Sequence, residues 1–115
     1  MKNRFQFRVW KGKENRMVYG VTYLNPLILD PEIDPENAHN KVMQCTGMKD
    51  KNGKLIYEGD IVKQNNTIYS VNWFNGSFCF KDTLNGKNYT VEFVMSEKQE
   101  VIGNIYENPE LLESN

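Results

Sequence analysis

The side chain best suited to moving protons near neutral pH occurs once in the 115-residue chain, at His39, within a proline-punctuated acidic stretch. A nucleophile–base relay needs its imidazole held by a rigid neighbour, and a loop histidine has none. No catalytic residue is therefore assigned, and the protein is expected not to be an enzyme. Cys45 and Cys79 stand far apart with no Cys-x-x-Cys spacing, so neither a zinc ribbon nor a redox pair is indicated, and two buried, reduced thiols are expected. Asp30, Glu32, Asp34 and Glu36 fall at every second position and imitate the start of a calcium loop. Glutamates stand where Asp or Asn is usual, however, and the twelfth position is Lys41 instead of a bidentate glutamate. Glycine-rich phosphate cradles, the GxSxG elbow and HExxH are absent. Neither a metal nor a cofactor is expected.

What remains is charge. The formal net charge is only −1, but its distribution is uneven. Residues 1–20 carry Lys2, Arg4, Arg8, Lys11, Lys13 and Arg16 against Glu14 alone. Residues 21–40 carry four carboxylates and no Lys or Arg, and residues 96–115 carry five glutamates against Lys98. In an extended strand Arg4 and Arg8 share a face with Trp10, while Lys11, Lys13 and Arg16 surround the following turn. Arg4, Arg8, Trp10, Lys11, Lys13 and Arg16 are thus the candidate partner-binding residues. Phosphate contacts with one base-stacking platform would suit nucleic acid. Contact with a protein is an equal alternative, and the bland reading, a solvated strand face whose charges prevent edge-to-edge pairing, stands ahead of both. The acidic balance, with a pI near 5.8, lacks the basic excess that accompanies non-specific nucleic-acid binding.

The elements that would position these residues are strands. Residues 4–10 alternate strictly, with Phe5, Phe7 and Val9 on one face and Arg4, Gln6, Arg8 and Trp10 on the other. After a five-residue turn, residues 16–23 supply a second strand with Met17, Tyr19, Val21 and Tyr23 on one face. Pro26, Pro31 and Pro35 then break the pattern into an acidic connector, with one short helical turn near 35–39. Three Asn-Gly pairs, at 52–53, 75–76 and 85–86, mark hairpins, because a type I′ turn needs positive φ at both central residues. With 75–76 as a two-residue loop, Phe74 opposes Ser77, Trp73 opposes Phe78 and Val71 opposes Phe80. With 85–86 as another, Phe80 meets Val91 and Phe78 meets Phe93. Both turns place Trp73, Phe78, Phe80 and Phe93 on one buried face of a three-stranded meander. A last strand spans 100–106 before Asn108-Pro109 stops it. Short strands, tight turns and no long helix predict an all-β fold, a small antiparallel barrel or roll with an N-terminal β-hairpin. The chain length suits one domain: hairpin 1–24, connector 25–41, barrel 42–107 and tail 108–115.

The string TGMKDKNGKLIYEGDIV at 46–62 resembles the signature of the YopX family of phage and prophage proteins. FRVWKGKENRMVY at 7–19 and EVIGNIYENPELLE at 100–113 resemble that family's opening and closing segments. Cys45, where the family commonly has an aromatic residue, and Leu55, where it commonly has a polar one, are departures. The resemblance implies an SH3-like barrel over the C-terminal part and no assigned activity. Read physically, the string is architectural: Asn52-Gly53 is a hairpin tip, Gly59 passes where a side chain would obstruct, and Asp60 holds the corner through nearby amides. The alternative makes Tyr57 and Glu58 part of a ligand site.

No apolar run approaches the roughly 20 residues of a membrane span, and none follows the basic N-terminus as in a signal peptide. A cytoplasmic protein is expected, with no membrane contact. Its partner would be an unidentified host or phage protein, or a second copy of itself, and nucleic acid is the alternative.

Overall fold

Short segments, none longer than ten residues, alternate with turns and build nine strands among the described residues, 6–21, 30–32, 34–90 and 98–113, of the computed structural model. Arg4, Phe5, Tyr23, Val91 and Phe93, which enter the sequence expectations, lie outside the described residues. The strands are β1 (Phe7–Lys11), β2 (Arg16–Val21), β3 (Asn40–Lys49), β4 (Leu55–Tyr57), β5 (Asp60–Gln64), β6 (Thr67–Phe74), β7 (Ser77–Asp82), β8 (Asn88–Thr90) and β9 (Glu100–Asn104). They form two antiparallel sheets, ordered β2-β1-β3-β4 and β8-β7-β6-β5-β9, one of them a curled half-barrel. The architecture is the all-β roll expected from the sequence.

The N-terminal hairpin is irregular at Gly20. Trp10 opposes Met17 and Val9 opposes Val18, but Phe7 opposes Val21, because Gly20 sits at φ +72° and adds one residue to β2. Val21 is thereby moved off the face shared by Met17 and Tyr19, on which the alternation had placed it. The connector ends in the expected short turn, a 3-10 helix at Pro35–His39 capped by Asp34, whose carboxylate accepts the Glu36 N–H.

Asn75-Gly76 behaves as the sequence predicts. Both residues have positive φ, +51° and +83°, and Phe74–Ser77, Trp73–Phe78 and Val71–Phe80 are opposed. The next turn differs. Asp82 Oδ1 accepts the Leu84 N–H at 2.8 Å, and the Asp82 N–H donates to the Lys87 carbonyl at 2.9 Å, so the loop holds four residues instead of two. An aspartate that can satisfy turn amides makes the longer loop the better one. Phe80 accordingly meets Tyr89 and not Val91; the slip of two preserves the face.

Ile56, Val62, Val71 and Phe80 are the centre of the core, with Met48, Tyr69, Tyr89 and Val101 packed around them. Trp73 was expected there and is instead 50% exposed, although it still meets Phe78 edge to face at 4.7 Å. The cause is strand length. Pairing with β5 reaches only Ser70 on β6, so Trp73 lies beyond the end of that ladder.

The two sheets meet at the corner 58–60. Gly59 lies at φ +88°, its N–H donates to the Val71 carbonyl, and its own carbonyl accepts the Ile105 N–H. A Cβ at this position would stand 2.9 Å from the Met43 sulfur, so only glycine fits without displacement.

Candidate functional site

Arg8 leaves the N-terminal hairpin through the face that the sequence reading had turned to solvent. It is buried, and Asp60 with it, each at 2% exposure; one terminal guanidinium nitrogen meets the Asp60 carboxylate at 2.8 Å. The other donates to the Glu58 carbonyl at 3.1 Å, and the guanidinium carbon lies 4.9 Å from the Tyr57 ring centre and 5.8 Å from that of Tyr19. The second Asp60 oxygen accepts the Tyr57 N–H at 2.7 Å, the corner-holding role expected of it. Burial pushes the Asp60 carboxyl above its ordinary range, partly offset by Arg8 and by that N–H. Burial likewise raises the Tyr57 phenol, which stays neutral. An ion pair this enclosed ties β1 to β5 across the two sheets and is not presented to a partner.

A second carboxylate holds the Asn52-Gly53 tip. Asp50 accepts the Asn52 and Lys54 N–H groups on one oxygen, at 2.9 and 2.8 Å, and the Val101 N–H on the other at 2.9 Å. Burial alone would raise its carboxyl, but these three backbone donors outweigh it and hold the group below its ordinary value. The tip is therefore locked both to itself and to β9.

The other cations of the basic hairpin are largely answered within the chain. Glu14 receives Arg16 at 2.6 Å and Lys11 at 3.2 Å, and these contacts lower its carboxyl. The Gly12 N–H donates to the His39 carbonyl at 3.2 Å, which sets the hairpin turn against the acidic connector. There Lys11 and Lys13 line a small recess of about 60 Å³ with Asp34 and Glu36. Trp10 is stacked on Tyr106 at 5.7 Å with the ring planes 14° apart, so its best stacking face is occupied. Of the six candidates, Lys13 is the exposed cation without an ion pair among the described residues, and Arg4 lies outside them.

Two features extend beyond the six candidates, although the alternative reading of the 46–62 string names Tyr57 of the first. The first is a cleft of about 370 Å³ lined by Arg8, Tyr19, Gly53, Lys54, Leu55 and Tyr57, between β2 and the β3–β4 tip. The second is the β6–β7 tip, where Trp73 and Phe74 are 50% and 48% exposed. A signal for the second was present: residues 70–80 contain no charged side chain. Cys45 and Cys79 are buried and free, His39 is exposed, and no group of three potential metal ligands converges among the described residues.

Comparison with known proteins places this architecture. The YopX protein family model matches residues 6–113, and the chain belongs to that family. Protein EF1440 from Enterococcus faecalis has a similar crystal structure, with 27% sequence identity and a TM-score of 0.68 over 93% of this chain and 96% of that one. Protein YopX from Bacillus subtilis is similar at 27% identity and a TM-score of 0.62, over 97% of this chain and 98% of the other. No curated protein matches.

Proposed function

We propose that this YopX-family member is a non-enzymatic accessory protein of phage or prophage origin, acting in the host cytoplasm by binding another protein. The observation that carries the reading is the charge-free β6–β7 tip, which holds Trp73 and Phe74 half in solvent on opposite faces of a hairpin. Large aromatic side chains are the usual anchors of protein interfaces, because they bury much area for little conformational entropy. The nucleic-acid alternative loses its groundwork at the basic hairpin. Arg8 is buried against Asp60, Lys11 and Arg16 are paired with Glu14, and Trp10 is stacked on Tyr106. Phosphate binding needs several free cations in a row.

Affinity capture from the host cell, with and without nuclease, tests both readings when run beside the Trp73→Ser/Phe74→Ser variant. A protein recovered in both treatments and lost with the variant supports the proposal. Recovery that vanishes with nuclease, or that is indifferent to the two substitutions, refutes it.

A further inference from the structure

We infer that Asn75 is a site of spontaneous covalent modification. Its side-chain amide cyclises onto the Gly76 backbone nitrogen, and water opens the ring to aspartate or isoaspartate, which puts a carboxylate into the aromatic β6–β7 tip. The inference goes beyond the protein-binding reading above and does not depend on it.

The chemistry needs an asparagine, a following main-chain nitrogen that is free to lose its proton and unshielded by a side chain, and solvent water. The Gly76 nitrogen gives its proton to solvent base and bonds to the Asn75 side-chain carbonyl carbon. The Cγ–Nδ2 bond breaks, and ammonia leaves after taking up a proton. Water then adds to one carbonyl of the resulting cyclic imide, and the C–N bond at that carbonyl breaks. Opening at the side-chain carbonyl gives aspartate; opening at the main-chain carbonyl gives isoaspartate, whose backbone runs through Cβ and Cγ. No electrons are exchanged, and water is the sole co-reactant.

Three Asn-Gly pairs occur, at 52–53, 75–76 and 85–86, and all three asparagines are exposed. Each glycine is open as well, with nothing within 4 Å of where a Cβ would stand, so access does not separate them. Hydrogen bonding does. The Gly53 N–H donates to the Asp50 carbonyl at 3.0 Å, and the Asn52 and Lys54 N–H groups on either side are held by the Asp50 carboxylate. The Gly86 N–H donates to the Asp82 carbonyl at 2.9 Å, and the Asn85 side-chain oxygen itself accepts the Lys87 N–H at 2.8 Å. The Gly76 N–H and the Asn75 side chain make no hydrogen bond among the described residues. Both lie beyond Ser70, where pairing with β5 ends, so opening this turn disturbs little else.

The products change the tip in two ways. Residues 70–80 hold no charged side chain, and either product places an anion next to the exposed Phe74. Isoaspartate also lengthens a two-residue turn whose positive φ pair, +51° and +83°, sets Phe74 opposite Ser77 and Trp73 against Phe78.

The test is to age the folded full chain in mildly alkaline buffer beside the same chain unfolded in urea, and to follow each Asn-Gly peptide by mass spectrometry as amide becomes acid. In the folded chain Asn75 is expected to convert about two- to tenfold faster than Asn52 or Asn85, the rate equivalent of the backbone hydrogen bond that those two must first break. In urea the three rates should come together, because the bonds that separate them are gone. Tryptophan emission of the folded chain should change in step with the isoaspartyl fraction. Asn75→Gly keeps the positive φ of the turn and has no amide to cyclise, so its emission should hold through the same ageing. Equal or faster conversion at Asn52 or Asn85 in the folded chain, or an Asn75 preference that persists in urea, would overturn the inference. So would an emission change that Asn75→Gly shares.

Discussion

Removing Arg8 while keeping its volume, as in Arg8→Met, is the sharpest perturbation of the fold. The substitution leaves Asp60 buried with the Tyr57 N–H as its remaining partner. A carboxylate so enclosed takes up a proton instead of staying charged. The limiting cost at pH 7 is then the work of protonating a group whose ordinary value is 3.8, which at about 1.36 kcal/mol per pH unit comes to about 4 kcal/mol. That agrees with the roughly 3–5 kcal/mol lost when one member of a buried pair is removed. A carboxyl raised in the folded state contributes stability that is complete below its unfolded value and is lost as pH climbs through its folded value. Arg8→Met should therefore lose most at neutral pH and recover towards pH 4. Urea unfolding of the parent, Arg8→Met, Asp60→Asn and the double variant at pH 4.5 and 7 measures this. The double variant should be more stable at pH 7 than the sum of the singles by at least about 1 kcal/mol. Additive losses, or an Arg8→Met cost below about 1 kcal/mol that does not vary with pH, would refute the buried pair as the link between the sheets.

Asp50→Asn should cost about 1.5–3 kcal/mol, because its amide nitrogen would face one of the backbone N–H donors that now bind a carboxylate. Asp50 is lowered in the folded state, so its stabilisation is present above pH 3.8 and lost as pH falls through its folded value; the variant should show a flatter acid limb in thermal unfolding. Gly59→Ala should cost about 1–3 kcal/mol through its left-handed backbone and the Met43 sulfur, and a melting temperature unchanged within error would contradict the corner geometry. Lengthening the 75–76 turn by one glycine should alter the Trp73–Phe78 contact at the tip, read as a change in tryptophan emission, while thermal stability falls only slightly.

Hairpin register was readable where the turn chemistry was self-sufficient. Asn75-Gly76 needs only its own two residues to turn, so the opposed pairs could be counted outward from it. At Asn85-Gly86 a nearby side chain entered: Asp82 accepts turn amides and doubles the loop, and no count based on the Asn-Gly pair alone includes it. Asn52-Gly53 is likewise a tip whose geometry belongs to Asp50. In both cases an aspartate two or three residues before the Asn-Gly pair marks the longer loop. Burial was harder to read than facing. Trp73 lies on the expected face, yet its exposure depends on where β5 stops pairing with β6, which is a property of another segment.

Arg8 was misplaced for a different reason, and the correction bears on the whole candidate site. Alternation assigns the polar residues of a strand to water only when one face of the sheet is wet. β1 is an interior strand between β2 and β3, and the face bearing Arg8 also bears Trp10, Met17 and Tyr19. Aromatic and thioether side chains on the supposed solvent face were the sign that something covers it. What covers it is the 58–60 corner, distant in sequence, and no local pattern joins Arg8 to Asp60. Both ends of that pair nevertheless fall inside strings that carry the family resemblance, and so do Tyr57 and Lys54 of the cleft. The corner that the pair secures is what holds Tyr57 beneath Tyr19. Architecture and candidate site in this string are therefore one set of contacts, and the Lys54 charge, which acts on both Asp50 and Asp60, belongs to that set.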